Sequence, residues 1–177
     1  AVIANVPSPF AWYGLGAHGA PAGCSWSRAG RALPCVPAPA ENAAWPAPDP
    51  ARLVAFRDQY EAARKDAAAV ARAFFPLERI AGPVLCLAAG DDQVWDSEAQ
   101  CAHALEYLRA HRHPFADRAL TFAGAGHLYL EARTGPAAAM NAAPLGTGGR
   151  MAFGGTPEAD ARAAREALAA IAALVPP

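Results

Sequence analysis

The chain is poor in most of what would announce a partner. Among its 177 residues there is one lysine, Lys65, and the arginines form no run. With a formal net charge of −1, no long-range field draws it to nucleic acid or to an acidic membrane surface, and the scattered charges read as solvated surface. No stretch reaches the ~20 apolar residues of a membrane span. The opening residues, Ala1-Val2-Ile3-Ala4-Asn5-Val6, carry no basic segment of the kind that begins a signal peptide. They also lack a methionine and start inside what reads as a strand, so the chain is expected to be cut from something longer. No Cys-x-x-Cys occurs among Cys24, Cys35, Cys86 and Cys101, which argues against a zinc or redox motif. No Gly-x-Ser/Cys-x-Gly turn occurs either.

What is present is alanine, arginine, glycine and proline in quantity, the mark of a GC-rich, bacterial-type coding sequence, so alanine is a weak structural witness here. A length of 177 residues holds one domain with a sizeable core. Residues 1–6 read as a strand buried on both faces. From Phe10 to Pro50 the sequence is rich in Gly, Pro and aromatics and has no sustained period, which implies an irregular excursion. Trp12, Tyr13, Trp26 and Trp45 would give it a small core of its own or a lid surface. Asp49-Pro50 is expected to open a helix with Leu53, Phe56, Tyr60 and Ala63 on one face. Asp66 then caps a second short helix running to Phe74, and Pro76–Ile80 forms a single turn.

The apolar run Val84-Leu85-Cys86-Leu87-Ala88-Ala89 reads as a buried strand that breaks at Gly90-Asp91-Asp92. Ser97 can cap the next helix, with Cys101, Leu105 and Leu108 inward, and that helix must end near His113-Pro114. Residues 119–123 form a further strand. Thr156-Pro157 caps a last helix with Ala164, Leu168, Ile171 and Val175 as its apolar stripe. Strands alternating with helices imply an α/β fold with about three parallel strands and flanking helices. A strand left without its usual neighbour would be an open edge prone to self-association.

An acid at the end of one strand and a histidine in the loop after the next is how an α/β-hydrolase sets out the last two members of its triad. Asp92 and His127 stand in that relation, with one helix and one strand between them. The glycines of Gly124-Ala125-Gly126-His127 let the loop turn the imidazole back over the sheet. Other signals fade. Gly14–Gly19 matches GxGxxG but runs into Ala20-Pro21 rather than a helix, so no dinucleotide site is expected. His111-Arg112-His113 has no partner at metal-binding spacing, and His103 reads as a surface residue. No cofactor and no metal are expected. Cys86 and Cys101 read as buried small hydrophobes. Cys24 and Cys35 could bridge in an exported protein, but free thiols in a cytoplasmic one are the expectation.

Three segments carry a family resemblance: Arg79-Ile80-Ala81-Gly82-Pro83-Val84-Leu85, Gly90-Asp91-Asp92-Gln93-Val94-Trp95-Asp96-Ser97, and Gly124-Ala125-Gly126-His127. The chain resembles the C-terminal domain shared by acyl-CoA thioesterases and bile acid-CoA:amino acid N-acyltransferases, an α/β-hydrolase related to dienelactone hydrolase. Asn5-Val6-Pro7-Ser8, Cys24-Ser25-Trp26 and Gly154-Gly155-Thr156 fit it too. The resemblance implies the C-terminal half of that fold, a single partial domain over 1–177. It makes Asp92 the orienting acid rather than Asp91, His127 the general base, and Trp95 a packing residue beneath the acid loop. The substrate implied is an acyl-CoA or a related thioester or ester. The family's Ser or Cys nucleophile would lie upstream, in the missing N-terminal half of the domain. Ser8, Cys24, Ser25 and Ser27 sit on no strand-to-helix elbow, and of these Ser8 is the least implausible substitute. The alternatives are a non-catalytic remnant or binding module, and a dienelactone-hydrolase-like carboxylesterase.

Overall fold

A computed structural model describes residues 1–15, 21–39, 51–131, 142–144 and 149–174. In chain order the elements are β1 (Val2–Asn5), β2 (Tyr13–Leu15), β3 (Pro21–Cys24), β4 (Ser27–Arg28), β5 (Arg31–Ala32), β6 (Leu53–Val54), α1 (Arg57–Ala63), α2 (Ala67–Ala73), β7 (Val84–Ala89), α3 (Ser97–Ala110), β8 (Arg118–Phe122), β9 (Ala142–Pro144), β10 (Arg150–Ala152) and α4 (Pro157–Leu174). A 3₁₀ turn over Leu77–Arg79 fills the single-turn position before β7. The class is α/β.

The central sheet is parallel, in the order β1-β7-β8, with Ile3 opposite Leu85 and Cys86 opposite Ala119. β7 lies in the middle and all six of its residues are buried. Its two faces follow the period-2 alternation of a strand. Leu85, Leu87 and Ala89 join Phe122, Tyr129, Ala163 and Ala167 on the α4 side. Val84, Cys86 and Ala88 join Cys101, Ala104 and Leu108 on the α3 side. An uninterrupted apolar run is therefore what a strand covered by helices on both faces requires. Cys86 and Cys101 are buried free thiols.

β1 departs from the expectation of a strand buried on both faces. It pairs with β7 alone among the described residues, and Val2 is 37% exposed. An apolar sequence is equally compatible with a half-covered edge. Asp49-Pro50 and Trp45 lie outside the described residues, and the helix expected to follow Asp49-Pro50 is not formed at 53–54. Leu53–Val54 instead runs parallel to β10, leaving Leu53 61% exposed. Helix α1 starts only at Arg57, where the Phe56 and Arg57 N–H groups donate to the Gln93 carbonyl. Phe56, Tyr60 and Ala63 are buried as expected. Asp66 caps α2 by accepting from the Ala69 N–H at 2.9 Å.

Helix α3 is capped by Asp96, whose carboxylate accepts from the Ala99 N–H at 2.9 Å, and not by Ser97. The Ser97 hydroxyl is buried and bonds both backbone groups of Ala89, accepting at 3.0 Å and donating at 3.2 Å. It thereby ties the helix start to the end of β7. Thr156 caps α4 through the Ala159 N–H. The buried stripe of α4 is Ala159, Asp160, Ala163, Ala164 and Ala167, rotated from the one centred on Leu168. Alanines lie closest to the sheet because only a small side chain allows close approach, and Val175 lies outside the described residues.

Within the excursion the described residues, 10–15 and 21–39, carry short strand pairs. β2 and β3 form one antiparallel pair and β4 and β5 another. The second hairpin brings Cys24 and Cys35 together, Cα to Cα 5.6 Å, in a disulfide. This corrects the expectation of free thiols, and with it the thiol argument for a reducing compartment falls away. Trp12 and Tyr13 do not make a core of their own; they pack with Phe10, Phe56, Tyr60, Val70 and Phe153 in one cluster shared with α1 and α2. Trp26 is 59% exposed. His103 is half-buried against Phe10 and Phe74, not a free surface group. Among the described residues no helix is long and apolar enough to cross a membrane.

A histidine clasp ties the turn before β8 to the residues that precede β7. His113 Nδ1 lies 2.6 Å from the Asp117 carboxylate and Nε2 lies 2.8 Å from the Ile80 carbonyl, with the side chain 1% exposed. Both partners accept, so the doubly protonated ring fits. The Ile80 carbonyl above all, and then the Asp117 carboxylate, hold the His113 pKa above the ordinary value against burial, which works the other way. Asp117 also accepts from the Val84 N–H at 2.9 Å, fixing the start of β7. A raised histidine stabilises the fold fully below the unfolded value of about 6.5 and loses that contribution as pH rises through the folded value. Urea denaturation is expected to show stability falling as pH rises above about 6.5, and His113→Gln is expected to flatten that slope.

Candidate active site

The site forms where β7 and β8 end. After Ala89 the chain turns at Gly90, whose N–H donates to the Phe122 carbonyl, and the Asp91 N–H donates to the Ala125 carbonyl. The two strand ends are thus stitched together by backbone bonds. Asp92 is fully buried. Its Oδ1 accepts from the Val94 N–H at 2.9 Å and the Trp95 N–H at 3.2 Å. The Asp92 carbonyl accepts from Arg57, whose other guanidinium nitrogen pairs with Asp96 at 2.7 Å. The carboxylate is therefore immobilised by its own loop before any histidine approaches.

His127 meets it from the other strand. Its Nδ1 stands 2.9 Å from Asp92 Oδ2 and 3.1 Å from Oδ1. A carboxylate accepts only, so this bond keeps the proton on Nδ1 and leaves the Nε2 lone pair available. Among the described residues Nε2 makes no hydrogen bond, and the side chain is 13% exposed. Trp95 packs edge-on against the imidazole at 4.8 Å, and Phe153 stacks over it at 6.3 Å. The Trp95 Nε1–H donates to the Val6 carbonyl at 3.2 Å, so its ring bridges the end of β1 and the imidazole. Asp91 turns away, accepting from Gln93 Nε2 at 2.7 Å and from the Gly155 N–H at 2.9 Å.

The histidine loop is held by residues to which its own sequence gives no clue. The His127 N–H donates to the Phe153 carbonyl at 2.8 Å, and the Gly126 N–H donates to Asp160 Oδ1 at 2.8 Å. Gly124 takes a φ of +70°, whereas Gly126 is required for space, because a β-carbon there would overlap the Gly154 carbonyl. Asp160 is 2% exposed on the sheet-facing side of α4. Burial pushes its carboxyl pKa up, the Gly126 N–H opposes this, and Asp91 adds to it. The signal was present: an acid on an otherwise alanine face demands a buried partner. Asp160→Ala is expected to cost about 1–3 kcal/mol, the penalty of an orphaned buried N–H. Asp160→Asn, which retains an acceptor and removes the charge, is expected to cost less; urea titrations of both variants measure the difference.

None of the four substitute nucleophiles is presented to His127. The Ser8 hydroxyl donates to the Phe10 carbonyl and that of Ser25 to the Trp12 carbonyl, each at 2.7 Å. Cys24 is in the disulfide, and Ser27 is exposed in β4. His111 bonds the Tyr107 carbonyl through Nδ1 and His113 is committed to the clasp. A cavity of about 560 Å³ lies between α1, α2 and α3, lined by Arg64, Val70, Phe74, His103 and Tyr107. It shares no residue with the Asp92–His127 pair.

In a comparison with known families, the model described as BAAT / Acyl-CoA thioester hydrolase C terminal matches residues 32–173. The matched span contains Asp92, His127, Phe153 and Asp160 and begins downstream of Asn5–Ser8 and Cys24–Trp26. No curated protein matches the chain.

Proposed function

The chain belongs to the BAAT / acyl-CoA thioester hydrolase C-terminal family, an α/β-hydrolase-type domain, and from that premise we propose that Asp92 and His127 are the acid and base of an acyl-transfer triad acting on acyl-CoA thioesters. The observation that supports this reading best is the 2.9 Å contact between His127 Nδ1 and the fully buried Asp92 carboxylate. It leaves the opposite ring nitrogen as the base. In this reading the Ser or Cys nucleophile is carried outside these 177 residues.

The chemistry follows from the tautomer. His127 Nε2 takes the nucleophile's proton as its oxygen or sulfur attacks the thioester carbonyl. Asp92 stabilises the imidazolium without taking the proton. The tetrahedral intermediate collapses, the thiolate leaves, and His127 returns the proton to it. Water attacking the acyl-enzyme gives hydrolysis and an amine gives transfer; His127 deprotonates either acceptor. Trp95 and Phe153 flank the ring and limit water around it, which strengthens each charge interaction in the site.

The test is to express the open reading frame extended upstream of Ala1 and to measure thioester cleavage on acyl-CoA. His127→Ala in that protein is expected to lower kcat by about 10⁴-fold. The 177-residue chain alone is expected to show no turnover. An extended protein whose turnover ignores His127→Ala would overturn the base assignment. Turnover by the shorter chain that is lost in His127→Ala would overturn the placing of the nucleophile.

A further inference from the structure

The cavity of about 560 Å³ built by α1, α2 and α3 takes no part in the Asp92–His127 site. Its volume is that of a site for a small organic molecule. Val70 and Ala71 of α2 and Phe74 just after it supply apolar surface, and α3 adds His103 and Tyr107. The rings fix one another. Phe74 stacks with Tyr107 at 4.4 Å and meets His103 edge-on at 5.0 Å, and the Tyr107 hydroxyl donates to Glu78 at 2.8 Å. An aromatic wall that is already fixed can receive a flat ring without further ordering, and contacts between rings gain more than the area they bury.

The end of α1 brings net positive charge to this surface. Arg64 and Lys65 both line the cavity, together with one acid, Glu61. Glu61 is spent on Arg64: its Oε2 accepts from the guanidinium at 2.7 Å, and its Oε1 is shut away from solvent. Arg64 keeps further N–H groups, because a guanidinium carries five. Lys65, the chain's only lysine, forms no ion pair among the described residues. His103 feels the Arg64 charge: burial first, and that charge second, depress its pKa, while the exposed Glu106 opposes them. The lining thus combines one unopposed ammonium, spare guanidinium donors and a neutral imidazole with apolar and aromatic surface. Its complement is a single negative charge on a flat apolar body.

We propose that this cavity is a second binding site, one that takes an aromatic carboxylate, with the carboxylate against Lys65 and Arg64 and the ring among Val70, Phe74 and Tyr107. The site is separate from the acyl-transfer reading of Asp92 and His127 and does not depend on it.

The test is binding of 2-naphthoate to the full chain, followed by calorimetry and by the ring-proton resonances of His103. The uncharged control is 2-naphthamide and the saturated control is decalin-2-carboxylate. Naphthoate is expected to bind at least about tenfold more tightly than the amide and at least about threefold more tightly than the decalin acid. It is also expected to raise the His103 pKa, since a neighbouring anion favours the imidazolium. Lys65→Gln is expected to weaken naphthoate about fivefold and to leave the amide unchanged. Ala71→Trp, which fills the cavity from an exposed position, is expected to abolish binding without moving the urea midpoint. No binding of naphthoate, equal affinity for naphthoate and its amide, an unmoved His103 pKa, or affinity that ignores Lys65→Gln or survives Ala71→Trp would overturn the proposal. So would equal or tighter binding of the decalin acid, which would assign the cavity to saturated acids.

Discussion

Asparagine at position 92 is expected to lower thioester cleavage by the upstream-extended protein about 10⁴-fold while leaving the fold intact. The substitution keeps a carbonyl oxygen to accept from the Val94 and Trp95 N–H groups, so the loop retains its own bonds. What changes is the group facing His127 Nδ1. An amide nitrogen donates, so the imidazole must accept at Nδ1 and carry its proton on Nε2. The base then has no lone pair where the nucleophile's proton has to go. Asp92→Ala would be a poorer probe, because it also orphans two N–H groups at the end of β7 and confuses lost stability with lost chemistry. Two measurements make the argument sharp. Circular dichroism and urea titration of Asp92→Asn should match the parent closely, and nitrogen-15 shifts of His127 should report a change of tautomer. A rate within tenfold of the parent, with the tautomer switched, would mean that His127 is not the base.

How the acid and the histidine come to share a bond was largely legible in the chain, and the reason is mechanical. A buried parallel strand shows itself as a continuous apolar run, and Val84–Ala89 has no residue that interrupts it. Helix α3, with its cap and the proline that follows it, accounts for the return to β8. Two strand ends joined in that way lie side by side, so the loops that follow Ala89 and Phe122 must meet. The details that failed had weak or ambiguous local signals. Asp96 and Ser97 are both good cap residues, and only the Ser97 bonds to Ala89 decide which one caps. β6, β9 and β10 are two or three residues each, too short for any period to show. Alanine populates both faces of α4, so the buried face is set by the close approach of Ala163 and Ala167 to the sheet. The supports of the histidine loop, Phe153 and Asp160, come from far along the chain, and no local pattern links them to His127.

That long-range support is also the most fragile part of the site, which makes Gly154→Ala the largest stability change expected here, about 3–5 kcal/mol. Gly154 has a φ of +75°, and a β-carbon there would land on the Asp91 carbonyl oxygen and within 2.9 Å of Gln93 Cγ. The left-handed conformation alone costs an alanine about 1–2 kcal/mol. The remainder comes from overlap with backbone, which has no rotamer to escape into. Moving Gly154 also moves the Phe153 carbonyl, the acceptor for His127, and the Gly155 N–H that holds Asp91. Both loops would shift, and the Asp92–His127 bond with them. Gly30→Ala is the control: its φ is +76°, yet nothing lies within 4 Å of the new β-carbon. The two variants share the conformational penalty and differ only in packing. A midpoint drop on the order of 10 °C for Gly154→Ala, with Gly30→Ala losing only a few degrees and the low-field His127 Nδ1 proton vanishing in the first alone, is the expected pattern. Equal losses in the two would mean that backbone conformation, and not the contact between the acid loop and Gly154, holds the carboxylate against the imidazole.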